Sequence, residues 1–107
     1  MCMAYVIFQQ DLTGTELVLK GSITGSISRN LIPLVQDNLK SEVSHVVIDM
    51  NECQLLTSDV LNSLCQLQKV LSNKNIPIAL VNLNGVNKKI YNRMNLQEIL
   101  PIKESSS

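Results

Sequence analysis

Apolar residues recur along this chain in two periods. Residues 5–9 and 16–20 are short apolar stretches that predict strands. Between them, Asp11 can bond its own backbone and Gly14 can take a positive φ, so the two strands form a hairpin or lie side by side. Residues 21–28 are rich in Gly, Ser and Thr and read as a loop. The period then changes. Ile27, Leu31, Val35 and Leu39 recur every four residues, with Ile32 beside them, which marks one face of a helix. Pro33 fits that helix if Asn30 is its N-cap, because Pro33 then falls in the first turn, where backbone N–H groups have no intrahelical partner.

Residues 43–50 are almost continuously apolar, the mark of a strand buried on both faces. After Ser58, the residues Val60, Leu61, Leu64, Leu67, Val70 and Leu71 fall at helical spacing, and Ser72-Asn73-Lys74-Asn75 ends that helix. Residues 76–83 predict a second central strand. Asn84-Gly85 signals a turn, and Val86, Ile90 and Met94 mark a third helix capped by Asn84 or Asn87. Residues 96–99 add one more turn before Pro101-Ile102. The order β-β-α-β-α-β-α, with doubly apolar strands, predicts an α/β domain with a parallel central sheet covered by helices. Residues 1–107 read as one domain, and residues 103–107 as a frayed tail.

Composition narrows the function. Aromatic residues make up only 3% of the chain, so Leu, Ile and Val must supply the core, and the rings on which single-stranded nucleic acid stacks are scarce. Nine Lys and Arg balance nine Asp and Glu, so the basic excess of a nucleic-acid binder is missing. The small cluster Lys88, Lys89 and Arg93 reads as a solvated helix face. Cys2, Cys53 and Cys65 have neither disulfide nor zinc-motif spacing, and Cys53 and Cys65 read as buried thiols. A cytoplasmic location is expected. Residues 1–9 lack the basic start of a signal peptide, and no apolar run approaches the roughly 20 residues of a membrane span.

Catalytic chemistry is hard to find. Gly21, Gly25 and Gly85 form no phosphate-binding fingerprint. His45 opens a buried strand and reads as a structural residue. Nothing near Cys53 would activate it as a nucleophile, and Asp49, Glu52 and Cys53 match no metal-ligand pattern. The expectation is a protein that is not an enzyme, without cofactor or metal. The informative stretch is the polar run Thr57-Ser58-Asp59, placed after a strand ending in Asp49 and at the head of an amphipathic helix. Ordinary capping accounts for these residue types, with Asp59 in the first turn worth about 0.3–1 kcal/mol. A phospho-switch accounts for them as well, since a phosphate here adds about −1.5 to −2 charge at a helix end that tolerates it, yet would repel or block a docked partner.

From residue 16 to residue 102 the chain resembles the STAS domain (sulfate transporter and anti-sigma factor antagonist), in its small stand-alone bacterial form. The matching segments are Leu17-Val18-Leu19-Lys20-Gly21-Ser22-Ile23, Val46-Val47-Ile48-Asp49-Met50, Ile78-Ala79-Leu80-Val81-Asn82 and the closing stretch from Met94 to Ile102. The resemblance implies a mixed, mostly parallel sheet of about four to five strands covered by about four helices. The family's working motif, Asp-Ser-Ser-Gly-Leu-Gly, falls on Thr57-Ser58-Asp59-Val60-Leu61-Asn62. Thr57 takes the place of the motif's Asp, Ser58 of its first Ser, and Asp59 of the Ser that a partner kinase phosphorylates. Val60 and Asn62 replace both glycines. In the family, the unphosphorylated protein binds an anti-sigma factor kinase and frees the sigma factor, and phosphorylation reverses this.

The resemblance therefore implies a partner that is an anti-sigma factor, a serine kinase or a phosphatase regulatory protein. Its docking site would include Thr57, Ser58, Asp59 and Asn62, supported by Gly25 and Ser26. Asp59 would be a built-in negative charge, with Ser58 and Thr57 as candidate acceptors. No nucleic-acid partner and no membrane insertion are implied. The alternatives are a fixed docking subunit of a larger lipid-transport or sensory assembly, and a small-ligand site at the strand ends.

Overall fold

Backbone pairing begins with a hairpin. β1 (Ala4–Asp11) runs antiparallel to β2 (Gly14–Gly21), with Ala4 opposite Gly21 and Asp11 opposite Gly14. The computed structural model of the chain describes residues 4–12, 14–24, 29–39, 42–53 and 55–102. Gly14 closes the hairpin at φ 133°, and a Cβ there would stand 2.9 Å from Ser44 Oγ, so only glycine fits the corner. The chain continues through α1 (Leu31–Asn38), β3 (Val43–Asp49), α2 (Ser58–Asn73), β4 (Ile78–Val81), α3 (Gly85–Arg93) and a 3-10 turn (Leu96–Glu98). β2, β3 and β4 are mutually parallel, giving a mixed sheet in the order β1-β2-β3-β4.

The pleat sorts the strands into two faces. Leu17, Leu19, Val46, Ile48, Ile78 and Leu80 stand on one face and join the main core with Leu31 and Val35 of α1, Val60, Leu64, Leu67 and Leu71 of α2, and Tyr91 of α3. On the other face the register aligns Ile7, Val18, Val47 and Ala79 in one row across all four strands. Val46, Val47 and Ile48 are consecutive and all buried, as the unbroken apolar run of β3 requires. A register shift sets Thr15 against Val43 but Glu16 against His45, leaving Ser44 as an extra residue on β3. There His45 Nε2 lies 2.7 Å from Glu16 Oε2 and its Nδ1 lies 2.8 Å from Ser44 Oγ, so His45 ties β2 to β3.

Several details differ from the sequence reading. The fourth strand is four residues long, not eight, and it lies at the sheet's edge rather than its centre. Pro77 has no N–H to donate, and Asn82 turns the chain out of the ladder at φ 62°. Beyond β4, Ile102 bridges Leu80, and the Leu80 N–H donates to the Pro101 carbonyl at 2.8 Å. In α3 the apolar spacing of Val86, Ile90 and Met94 does not mark the inner face. Val86 and Met94 are exposed, while Asn87 and Tyr91 are buried, because Tyr91 bonds the Leu100 carbonyl and Asn87 bonds the preceding loop. Asn30 occupies the N-cap of α1, but its side chain makes no capping bond. Cys53 is buried as expected, whereas Cys65 is only half-buried. Ile27 and residues 103–107 lie outside the described residues.

Candidate functional site

The polar run sits where a loop leaves the sheet and becomes α2. Thr57 is the N-cap: its backbone is extended, its Oγ1 accepts from the Val60 N–H at 3.4 Å, and its carbonyl accepts from the Leu61 N–H at 2.9 Å. Ser58 opens the helix and Asp59 lies in its first turn, where a carboxylate complements the macrodipole. Thr57, Ser58, Asp59 and Asn62 are all exposed. Val60, at the position of the first motif glycine, is fully buried in the core, which locks the rotation of the helix and turns its polar neighbours outward. Gly25 and Ser26 lie outside the described residues.

Two polar joints hold the loop that carries this run. The first is Asp49 at the end of β3. Its Oδ1 accepts from the Asn51 N–H at 2.9 Å and from Asn82 Nδ2 at 3.1 Å, and its Oδ2 lies 3.8 Å from Lys20 Nζ. One carboxylate thus gathers the ends of β2, β3 and β4. The second joint is Asn87, which is completely buried. Its Nδ2 donates to the Cys53 carbonyl at 3.0 Å and its Oδ1 accepts from the Leu56 N–H at 2.9 Å. Asn84 caps α3 by accepting from the Asn87 N–H at 2.8 Å, and its Nδ2 reaches the same Cys53 carbonyl at 3.5 Å. Between the joints, Met50, Cys53 and Leu56 bury their side chains as apolar anchors. Burial pushes the Cys53 thiol above its ordinary pKa, against a smaller opposing effect of the Leu55 backbone, so it stays a neutral packing group.

Asp49, Asn82, Asn84 and Asn87 are the residues that sequence reasoning undervalued. In the sequence Asn84 and Asn87 are rival caps for one helix, yet Asn84 caps it and Asn87 reaches across 31 positions to bond Leu56. The available signal was three asparagines within six residues, following an apolar strand. A single turn needs fewer side-chain amides than that.

Chemically, the site presents two hydroxyls, a carboxylate and an amide to solvent from a rigid helix end. Leu55, 49% exposed, and Val86, 57% exposed, each precede one residue of the Leu56–Asn87 joint and add apolar surface beside the polar run. Such a mixed polar and apolar surface suits contact with another protein.

The chain belongs to the STAS domain family, whose profile matches residues 8–107. No curated protein is significantly similar to it in sequence. Its fold is shared by a candidate anti-sigma factor antagonist from Thermotoga maritima, with a TM-score of 0.73 and 16% identity over 94% of this chain and 86% of that one. It is also shared by an anti-sigma factor antagonist from Mycobacterium paratuberculosis, with a TM-score of 0.63 and 16% identity over 92% and 84%. A third similar structure is the murine solute carrier 26 family member A9 anion transporter, with a TM-score of 0.68 and 12% identity. That match covers 92% of this chain but only 19% of the transporter. Among the described residues no helix is long and apolar enough to cross a membrane.

Proposed function

We propose that this protein is a non-catalytic bacterial signalling protein of the anti-sigma factor antagonist type. It binds an anti-sigma factor or a related serine kinase, in the cytoplasm, through the N-terminal end of α2. The observation that supports this reading is the exposed Asp59 in the first turn of α2, at the position where the family resemblance places the phosphorylated serine. Its carboxylate is a fixed negative charge, smaller by about one unit than a phosphate and shorter in reach. A partner that reads charge at this helix end therefore meets something between the two states of a switching relative. Ser58 and Thr57 supply hydroxyls beside it, and a phosphate on Ser58 would be favoured by the helix dipole.

Intact-mass measurement after incubation with serine kinases of its own organism tests this. The wild type should gain at most one phosphate, on Ser58 or Thr57, and the Asp59→Ser variant should gain one at residue 59. If Asp59→Ser is not modified by any kinase and neither Asp59→Ser nor Asp59→Ala changes a partner interaction, the polar run is only a helix cap. A second reading, a fixed docking domain in a larger assembly, draws on the same fold occurring within a much longer anion transporter. Co-purification with transport subunits would favour it.

A further inference from the structure

β1 is an edge strand, and among the described residues β2 is its only ladder partner. Edges of monomeric sheets are usually guarded by short length, lysine, proline or an inward charge. β1 has none of these guards before its last residue: its eight residues read Ala-Tyr-Val-Ile-Phe-Gln-Gln-Asp. Both of its aromatic rings are exposed, Tyr5 at 49% and Phe8 at 41%. The other edge is built differently. β4 is only four residues long, and Pro101 and Ile102 lie along it and take up the Leu80 N–H.

We propose that β1 pairs antiparallel with β1 of a second copy of this chain, joining two four-stranded sheets across a two-fold axis at Ile7. Any extended segment could satisfy the backbone of an edge strand, but the side chains favour a second copy. Residues 4–10 carry no charge, so two copies approach without like-charge repulsion. Centred on Ile7, the pairing sets Ile7 against the partner's Ile7, Tyr5 against the partner's Gln9, and Val6 against the partner's Phe8. Val6 with Phe8 is the aromatic and β-branched combination that stabilises cross-strand pairs. The row Ile7, Val18, Val47, Ala79 then continues without a break into the same row of the second sheet. Moving the axis to Phe8 would set Asp11 against Tyr5 and end that match.

The seven uncharged residues span about 24 Å at roughly 3.4 Å each. A two-strand seam of that length buries less than the roughly 1,200 Å² at the lower bound of stable interfaces. The dimer is therefore weak, in exchange with monomer between about 10 μM and 1 mM.

Sedimentation equilibrium of the full chain over that range tests the proposal with two paired variants. On β1, Tyr5 stands opposite Lys20, and Gln9 opposite Glu16. Y5E/Q9K suits both intramolecular neighbours and puts opposite charges together across the axis, so its dimer should be at least tenfold tighter than that of the wild type. Y5K/Q9K puts like charges together across the axis and should dimerise at least tenfold more weakly. Amide hydrogen exchange of the wild type, compared at low and high concentration, should show added protection in residues 4–10. A wild type that stays monomeric to 1 mM overturns the proposal. So does a Y5E/Q9K dimer no tighter than the Y5K/Q9K dimer, or added protection that falls outside β1.

Discussion

Asn87→Ala is the sharpest perturbation of the loop that presents the polar run. The side chain is wholly buried and makes two bonds to that loop, one to the Cys53 carbonyl and one from the Leu56 N–H. Truncation leaves both backbone groups short of a partner, at about 1–3 kcal/mol for each group stranded in the interior. The two losses are unequal. The Cys53 carbonyl keeps Asn84 Nδ2 within 3.5 Å, which places its loss at the low end, whereas among the described residues the Leu56 N–H has Asn87 alone as its partner. Together they amount to about 2–4 kcal/mol, a large part of the roughly 5–15 kcal/mol of a domain this size. With a urea slope near 1.5 kcal/mol/M, a loss of about 3 kcal/mol moves the unfolding midpoint down by about 2 M. Hydrogen exchange then locates the damage: the Leu56 amide should lose its protection before the strand amides do. A midpoint within about 0.3 M of the wild type, or a Leu56 amide that stays protected, would refute the assignment of Asn87 as the loop's anchor.

Three further perturbations probe the frame around the site. His45→Ala removes the 2.7 Å contact to Glu16 and the tie between β2 and β3, and should cost about 0.5–1.5 kcal/mol in urea unfolding; a neutral result would mean that the pair only decorates the β2–β3 seam. Gly14→Ala forces a side chain into a φ of 133° and against Ser44, so it should cost about 1–3 kcal/mol, and a variant as stable as the wild type would show that the hairpin corner relaxes. In a Cys2→Ser background, a thiol reagent at neutral pH should label half-buried Cys65 first and buried Cys53 only as the protein opens. The Cys53 thiol is raised by burial, so its contribution to stability is present below the unfolded thiol's pKa of about 8.5 and is lost as pH rises through the folded value. Equal labelling rates for the two thiols would contradict this.

The periodicities that were strongest in the sequence were also the most faithful. The spacing of Val60, Leu64, Leu67 and Leu71 located α2 and its buried stripe, and the unbroken run through Val46, Val47 and Ile48 located the doubly buried β3. Period arguments work there because each element buries its apolar face against several others. They failed at α3, where the inner face is set by Asn87 and Tyr91 bonding to distant backbone, a tertiary arrangement that apolar spacing cannot encode. They overextended β4, because nothing in an apolar run reveals that Asn82 adopts the left-handed region. The position of the candidate site was legible, since Thr57 caps a helix and Asp59 follows in its first turn. Its support was not, because the bonds from Asn82 and Asn87 span 33 and 31 positions.

The most direct test of the functional reading is a calorimetric titration of the wild type and of Asp59→Ser against the anti-sigma-factor-type serine kinases of its own organism. The account predicts that one such kinase binds, that exchanging the carboxylate for a hydroxyl changes its affinity at least tenfold, and that amide shifts on binding centre on residues 55–62. Equal affinities for the two proteins, with shifts centred away from the head of α2, would contradict it.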